Sequence, residues 1–135
     1  MALITWTAEE FGTNISVADE QHQNIFSLLN QLDDAVKSGD RSATGSILDE
    51  LINVVVDHFK TEEDLMQQHG YPNFAAHKDA HDKLVATCAD LQKKFHAGEA
   101  EVTPETTQFV KDWLVNHIPK IDFDYGPFLN DKGVN

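Results

Sequence analysis

The chain has 135 residues, of which 41% are hydrophobic and 24% charged, the size and balance of one globular domain with its own core. Its formal net charge is −13, from 10 basic and 23 acidic residues, which repels phosphate backbones and anionic lipid and excludes nucleic acid as a natural partner. No apolar run approaches a membrane span, the N-terminus lacks the basic and apolar regions of a signal peptide, and the single cysteine, Cys88, rules out an intrachain disulfide and a zinc-thiolate site. The expectation is a cytoplasmic, monomeric protein with one domain over residues 1–135 and no membrane insertion.

Residues 1–17 have little helical periodicity and read as an extended N-terminal arm, ending near Ser16 as a helix cap. From there His22, Ile25, Phe26, Leu29, Leu32 and Val36 step three and four apart, the stripe of an amphipathic helix. Gly39 stops that helix, and Asp40 or Ser42 caps the next, whose stripe runs Ile47, Leu48, Leu51, Ile52, Val55, His58, Phe59, Glu62, Leu65, Met66. His69-Gly70-Tyr71-Pro72 breaks it. A third helix begins after Asn73, carries His77, His81, Leu84, Val85, Cys88, Leu91 and Phe95, and ends at Gly98.

The fourth helix opens at Thr103-Pro104-Glu105, a cap residue followed by proline at the first helical position. It is expected to run through Val110, Trp113, Leu114, His117, Ile121 and Tyr125 and to stop at Gly126-Pro127. Pro119 falls inside it, where a kink or widened turn is expected. Four helices of about 20 residues joined by short connections predict an all-α, antiparallel up-down-up-down four-helix bundle.

Seven residues on these stripes bear chemistry. His58 and Glu62 are four apart, His77 and His81 are four apart, His117 precedes Asp122 by five, and His22 lies on the first helix. Side chains four apart share a helix face, so each such pair points one way. A lone histidine on an apolar stripe is usually a hydrogen-bonded core residue. Here five of them fall on the inward faces of all four helices together with two carboxylates, and an unpaired buried carboxylate costs several kcal/mol. Imidazole with carboxylate suits a first-row transition metal, above all iron. Seven protein ligands exceed one six-coordinate ion and suit two. His69 and His96, at helix ends, read as solvated, and so do the acidic clusters Glu62-Glu63-Asp64 and Asp79…Asp82, with Glu62 alone turned inward.

At these residues the chain resembles the single-domain bacterial hemerythrins over nearly its whole length. The matching segments are Asp19-x-Gln21-His22, His58-Phe59-x-x-Glu62-Glu63-x-Leu65-Met66, Tyr71-Pro72, His77-x-x-x-His81 and Trp113-Leu114-x-x-His117-Ile118-x-x-x-Asp122-x-x-Tyr125, with Trp6 near the N-terminus. Asn14 and Ala18 depart from the pattern, standing where bacterial members often have glycine and isoleucine. The resemblance implies two iron ions (Fe2+/Fe3+) bridged by an oxo or hydroxo group. His77, His81 and His117 would bind one iron and His22 and His58 the other, with Glu62 and Asp122 bridging both. One position then stays open for dioxygen, in a pocket expected to be lined by Trp113, Ile118, Phe59 and Phe26.

The implied function is reversible dioxygen binding for carriage, storage or delivery, with an oxygen-consuming enzyme as a possible recipient. The competing readings are a di-iron oxidase, peroxidase or nitric oxide reductase, and sensing or iron donation through a separate partner. Ferritin-like di-iron enzymes use four carboxylates and paired Glu-x-x-His motifs, and this chain has no Glu-x-x-His. A binding protein rather than an enzyme is therefore expected.

Overall fold

The computed structural model describes residues 3–118 and 123–134, with the backbone alone at residue 123. The described residues are helical, without a strand: α1 (Ala8–Phe11), α2 (Ser16–Ser38), α3 (Arg41–Gln68), α4 (Phe74–His96), α5 (Pro104–His117) and α6 (Phe123–Asp131). α2 packs on α3, α3 on α4 and α2 on α5. Side-chain bonds fix their directions. Gln21 reaches Thr61, Gln92 reaches Asp49, and Thr107 reaches Asp33, so the early part of each helix meets the late part of its neighbour. The bundle is antiparallel, as the short connections require.

Local chemistry sets most boundaries. Asp40 caps α3 by accepting from the Ala43 N–H at 3.0 Å, and Thr103 closes a capping box with Thr106 ahead of Pro104. Gly39, Gly70 and Gly98 follow the ends of α2, α3 and α4 at φ of 77°, 72° and 77°, the left-handed turn that lets a helix end without a Cβ penalty. Ser16 is not a cap: α2 is capped by Ile15 without a side-chain bond. Asp19 in the first turn of α2 accepts from the Thr13 N–H and hydroxyl at 2.8 and 2.7 Å and so ties the arm to the helix.

The arm is less extended than its sequence suggests. It contains the single turn α1, capped by Thr7, whose Phe11 is buried edge-on against Phe26 at 5.0 Å. Further back, Asn30 of α2 clamps Ile4, accepting from its N–H at 2.9 Å and donating to its carbonyl at 2.8 Å. Asn14 has φ of 64°, which explains the departure there: the position demands a left-handed residue, and asparagine is the side chain that adopts that conformation most readily after glycine.

The fourth helix differs most from expectation. α5 is 14 residues long and ends at His117, with Ile118 in wider, π-type winding, a feature that often marks functional positions. Pro119 and Asp122, and the bend expected between them, lie outside the described residues. Gly126-Pro127 does not stop a helix; both residues sit inside α6. Gly126 is buried where a Cβ would collide with the Thr13 carbonyl, so the glycine is there for close approach. Pro127 is on the exposed side of α6, where it forfeits one backbone bond near the helix start.

One buried charge staples α2 to α5. Asp33 is 2% exposed, accepts from the Thr107 hydroxyl at 2.8 Å, and pairs with Lys37 at 2.7 Å. Burial pushes its carboxyl up, but the bonds from Lys37 and Thr107 outweigh that and hold it below the ordinary value. A depressed folded value means the stabilisation is complete above the unfolded value of about 3.9 and is lost as the pH falls through the folded one. Asp33→Ala should cost about 2 kcal/mol at neutral pH, in urea unfolding. The gap between the two chains should narrow in strong acid, and a gap independent of pH would show that packing rather than charge makes the staple.

Candidate metal centre

Near one end of the bundle the inward faces of α2, α3, α4 and α5 converge on Glu62. Five histidines surround it, and His22, His58, His77, His81 and His117 are between 0% and 4% exposed. Their positions follow from helix geometry: His58 lies one turn before Glu62 on α3, and His77 lies one turn before His81 on α4. The two Glu62 oxygens divide the histidines between them. Oε2 lies 3.5 Å from His22 Nε2 and 3.2 Å from His58 Nε2, while Oε1 lies 3.6 Å from His77 Nε2 and 3.2 Å from His81 Nε2. His117 joins the second set through His81, Nε2 to Nε2 at 3.2 Å.

Two groups thus form around a shared carboxylate: His22, His58 and Glu62, and His77, His81, His117 and Glu62, with the candidate ligand atoms of each within 4.8 Å of one another. The outer hydrogen bonds show why these atoms suit a cation. Gln21 donates from its amide nitrogen to Thr61 at 3.3 Å, leaving its oxygen to accept from His58 Nδ1 at 2.7 Å. Glu63, an acceptor only, takes the Nδ1 proton of His81 at 3.0 Å. In a neutral ring the other nitrogen is then a lone pair, so His58 and His81 both aim Nε2 lone pairs at the carboxylate of Glu62. Acceptors facing acceptors in a dry interior repel; a cation between them turns that repulsion into coordination.

Where the imidazoles are protonated, the carboxyl of Glu62 is held well below its usual range: burial raises it, but the charge of His58 and hydrogen bonds from His22, His58 and His77 outweigh burial. Tyr125, 1% exposed on α6, donates its hydroxyl to Glu62 Oε2. Aromatic plates fix the imidazole planes. Phe59 stacks on His81 at 3.7 Å and 1°, Trp113 on His117 at 4.1 Å and 15°, and Tyr125 on His77 at 5.6 Å and 18°. Each ring is locked by packing as well as by its bonds.

A small, partly open apolar cavity of about 10 Å³, room for one water-sized guest, touches His22, His58 and His117. Among the expected pocket residues, Trp113, Ile118 and Phe59 line it; Phe26 does not, since it faces Phe11 of the arm. Ile25, Val55, Leu84, Val110 and Leu114 complete the walls. Their stripe positions mark them as core, and periodicity cannot tell a core residue from a cavity wall.

Six of the seven expected ligands therefore come together, and Asp122 lies outside the described residues. His96 is exposed and paired with Asp49, and His69 is half-buried away from the cluster. Glu63 corrects the reading of its acidic run as solvated. Its side chain is only 17% exposed and bonds His81, while Asp64 and Asp82 pair with surface lysines. Gln21 and Tyr125 carried no chemical signal beyond their places in matched motifs. Helical spacing from the histidines supplies no hint of contacts made across helices.

Fold and site together define a helical bundle with a buried, histidine-rich cluster that could hold metal. Residues 13–129 match the hemerythrin HHE cation-binding domain, and the chain belongs to the hemerythrin family. It is 64% identical to a bacteriohemerythrin from Methylococcus capsulatus, over 96% of this chain and 99% of that one. With a bacteriohemerythrin from Stenotrophomonas maltophilia it shares 38% identity over 93% of this chain and 80% of the other. A wild-type hemerythrin crystal structure superposes with a TM-score of 0.93 at 64% identity, covering 95% of this chain and 98% of that one. The family implies an iron centre, and among the described residues no helix is long and apolar enough to cross a membrane.

Proposed function

We propose that the chain binds dioxygen reversibly at a two-iron centre, for carriage, storage or delivery, with an oxygen-consuming enzyme as recipient. The observation that carries this reading is the divided carboxylate: Glu62 presents one oxygen to His22 and His58 and the other to His77 and His81, as a ligand shared by two ions must. His77, His81 and His117 would hold one iron and His22 and His58 the other. Asp122, as the second shared carboxylate, and an oxo or hydroxo bridge complete the proposed coordination. When bound, the two irons supply the electrons that dioxygen takes up and returns.

The protein's own part is to position and to exclude. Three nitrogens on one side and two on the other leave the His22–His58 side a ligand short, and the apolar cavity abuts those two histidines. Ile118, Leu114, Leu84 and Val55 wall it with hydrocarbon, which admits a small apolar gas while excluding water and stray protons. The Tyr125 hydroxyl holds the shared carboxylate in its orientation.

Anaerobic reduction followed by stopped-flow mixing with oxygen tests the proposal. An oxy spectrum that forms and reverts when oxygen is removed is expected; multiple turnover with a reductant would instead make the protein an enzyme. Ile118→Ala should shorten the lifetime of the oxy form several-fold at nearly unchanged iron content, because Ile118 is 0% exposed and lines the cavity. An unaltered lifetime would remove it from the barrier to water.

Acid should release the metal before it unfolds the bundle. Free imidazole protonates near about 6.5, and metal binding pushes that lower, so release should begin well below neutrality. A glutamate carboxyl ordinarily protonates only at about 4.3, roughly two units below imidazole, which makes the imidazoles the first groups to fail. Iron content followed alongside helical circular dichroism checks this. Simultaneous loss of both would mean that unfolding, not ligand protonation, releases the metal.

A further inference from the structure

Behind the two halves of the cluster stand two different chemical groups. His58 Nδ1 donates to the neutral amide oxygen of Gln21 at 2.7 Å, and His81 Nδ1 donates to the carboxylate of Glu63 at 3.0 Å. The geometry is otherwise parallel. Both rings are buried, and both face a Glu62 oxygen through Nε2 at 3.2 Å. The two Nδ1 acceptors differ in charge, one an amide and the other a carboxylate. Lys78 lies 3.8 Å from Glu63 and 2.9 Å from Asp82, so it pairs more closely with Asp82.

We propose that Glu63 and Gln21 are unequal positioning residues that make the two metal subsites electronically different, so that the His77–His81–His117 subsite gives up the first electron. This rests on the two-iron reading above. A carboxylate accepting the Nδ1 proton draws that proton off the ring and makes Nε2 a stronger donor, with partial imidazolate character, which favours the trivalent over the divalent ion. An amide accepts the same proton without a full charge, so the His22–His58 subsite stays the better host for the divalent ion. It is also the subsite that the apolar cavity reaches through two histidines. The asymmetry leaves the more reducing iron saturated with protein ligands and the open iron less prone to lose an electron by itself to an outer-sphere oxidant. In that first step one Fe2+ becomes Fe3+, its electron reduces one external acceptor, and no proton or bond is exchanged.

The test uses the full chain loaded with 57Fe, reduced anaerobically, and titrated with a ferricenium salt, which is reduced to ferrocene by one electron. Mössbauer spectra and the potential of the first step are read for wild type, Glu63→Gln and Gln21→Glu. Glutamine at 63 keeps the shape and an oxygen that can accept from His81, so iron content should not change. The equilibrium constant for the first oxidation should fall about tenfold in Glu63→Gln, which is about 59 mV for a one-electron couple. Gln21→Glu should bring the two subsites together, with the first Fe3+ signal split between them. Two irons bound with an unchanged first step in both variants would overturn the proposal. So would loss of iron from Glu63→Gln, which would give the carboxylate a purely structural role. A wild-type chain that fails to bind two irons would instead sink the two-iron reading itself.

Discussion

Glu62→Ala should empty the centre. The residue is the one member common to both histidine groups among the described residues, so its loss removes a ligand from each proposed iron, whereas His22→Ala removes one ligand from one. Iron content after desalting should fall close to zero in Glu62→Ala and by a smaller amount in His22→Ala. Stability should follow the metal. A ligand present at about a thousand times its dissociation constant contributes about 4 kcal/mol to the folded state, and that contribution should vanish in urea unfolding of the loaded protein. Metal-free chains supply the control. There Glu62 faces the Nε2 lone pairs of His58 and His81 with the hydroxyl of Tyr125 as its donor, and Glu62→Gln should cost the metal-free bundle little. A Glu62→Ala chain that retained wild-type iron would place the metal elsewhere.

Gly126→Ala should be strongly damaging for the addition of a single methyl. A Cβ at this buried position of α6 runs into the carbonyl of Thr13, and Thr13 cannot yield. Its N–H and hydroxyl both donate to Asp19, and its hydroxyl accepts from the Ile15 N–H at 3.3 Å. The helix must move instead. α6 carries Tyr125 and Leu129 into a cluster with Ile15, Ala18, Met66 and Tyr71, and Tyr125 into its bond with Glu62, so the shift propagates to the centre. Overpacking of this kind costs about 1–3 kcal/mol, and the rigid target puts this case at the upper end. The denaturation midpoint should fall, and iron should be stripped faster by a chelator. Gly126→Ser should behave no better, while Gly133→Ala, where a Cβ meets nothing within 4 Å but φ is 86°, should show only the left-handed backbone cost of about 1–2 kcal/mol and leave the chelation rate unchanged. A wild-type midpoint for Gly126→Ala would mean that α6 slides freely on the arm.

The sequence by itself determined the helices, their inward faces and the identity of the donor atoms. Period 3.6 places His58 over Glu62 and His77 over His81 before any fold is known, and caps such as Asp40 and Thr103 act within their own turn. Local rules sufficed because those contacts are local. Their failures share one physical cause. Gly126-Pro127 carries the composition of a helix stop, yet continues a helix because the chain needs a residue without a side chain where α6 meets the arm. Phe26 lies on the same stripe as Ile25, but the direction of a ring within a packed core depends on what faces it, and the arm's Phe11 claims it.

Glu63 shows the limit most clearly. In sequence it is one acid in a run of three, one step round the helix from the inward stripe, and only the approach of α4 puts His81 within reach of it. The same holds for Gln21 behind His58 and Tyr125 beneath Glu62. These bonds join residues 37, 18 and 63 positions apart, and no periodicity encodes them. The rotation and register of one helix against another, set by the packing of whole side-chain faces, decided which groups stand behind each histidine. Ligand spacing was written along single helices; the groups that orient those ligands meet them only between helices.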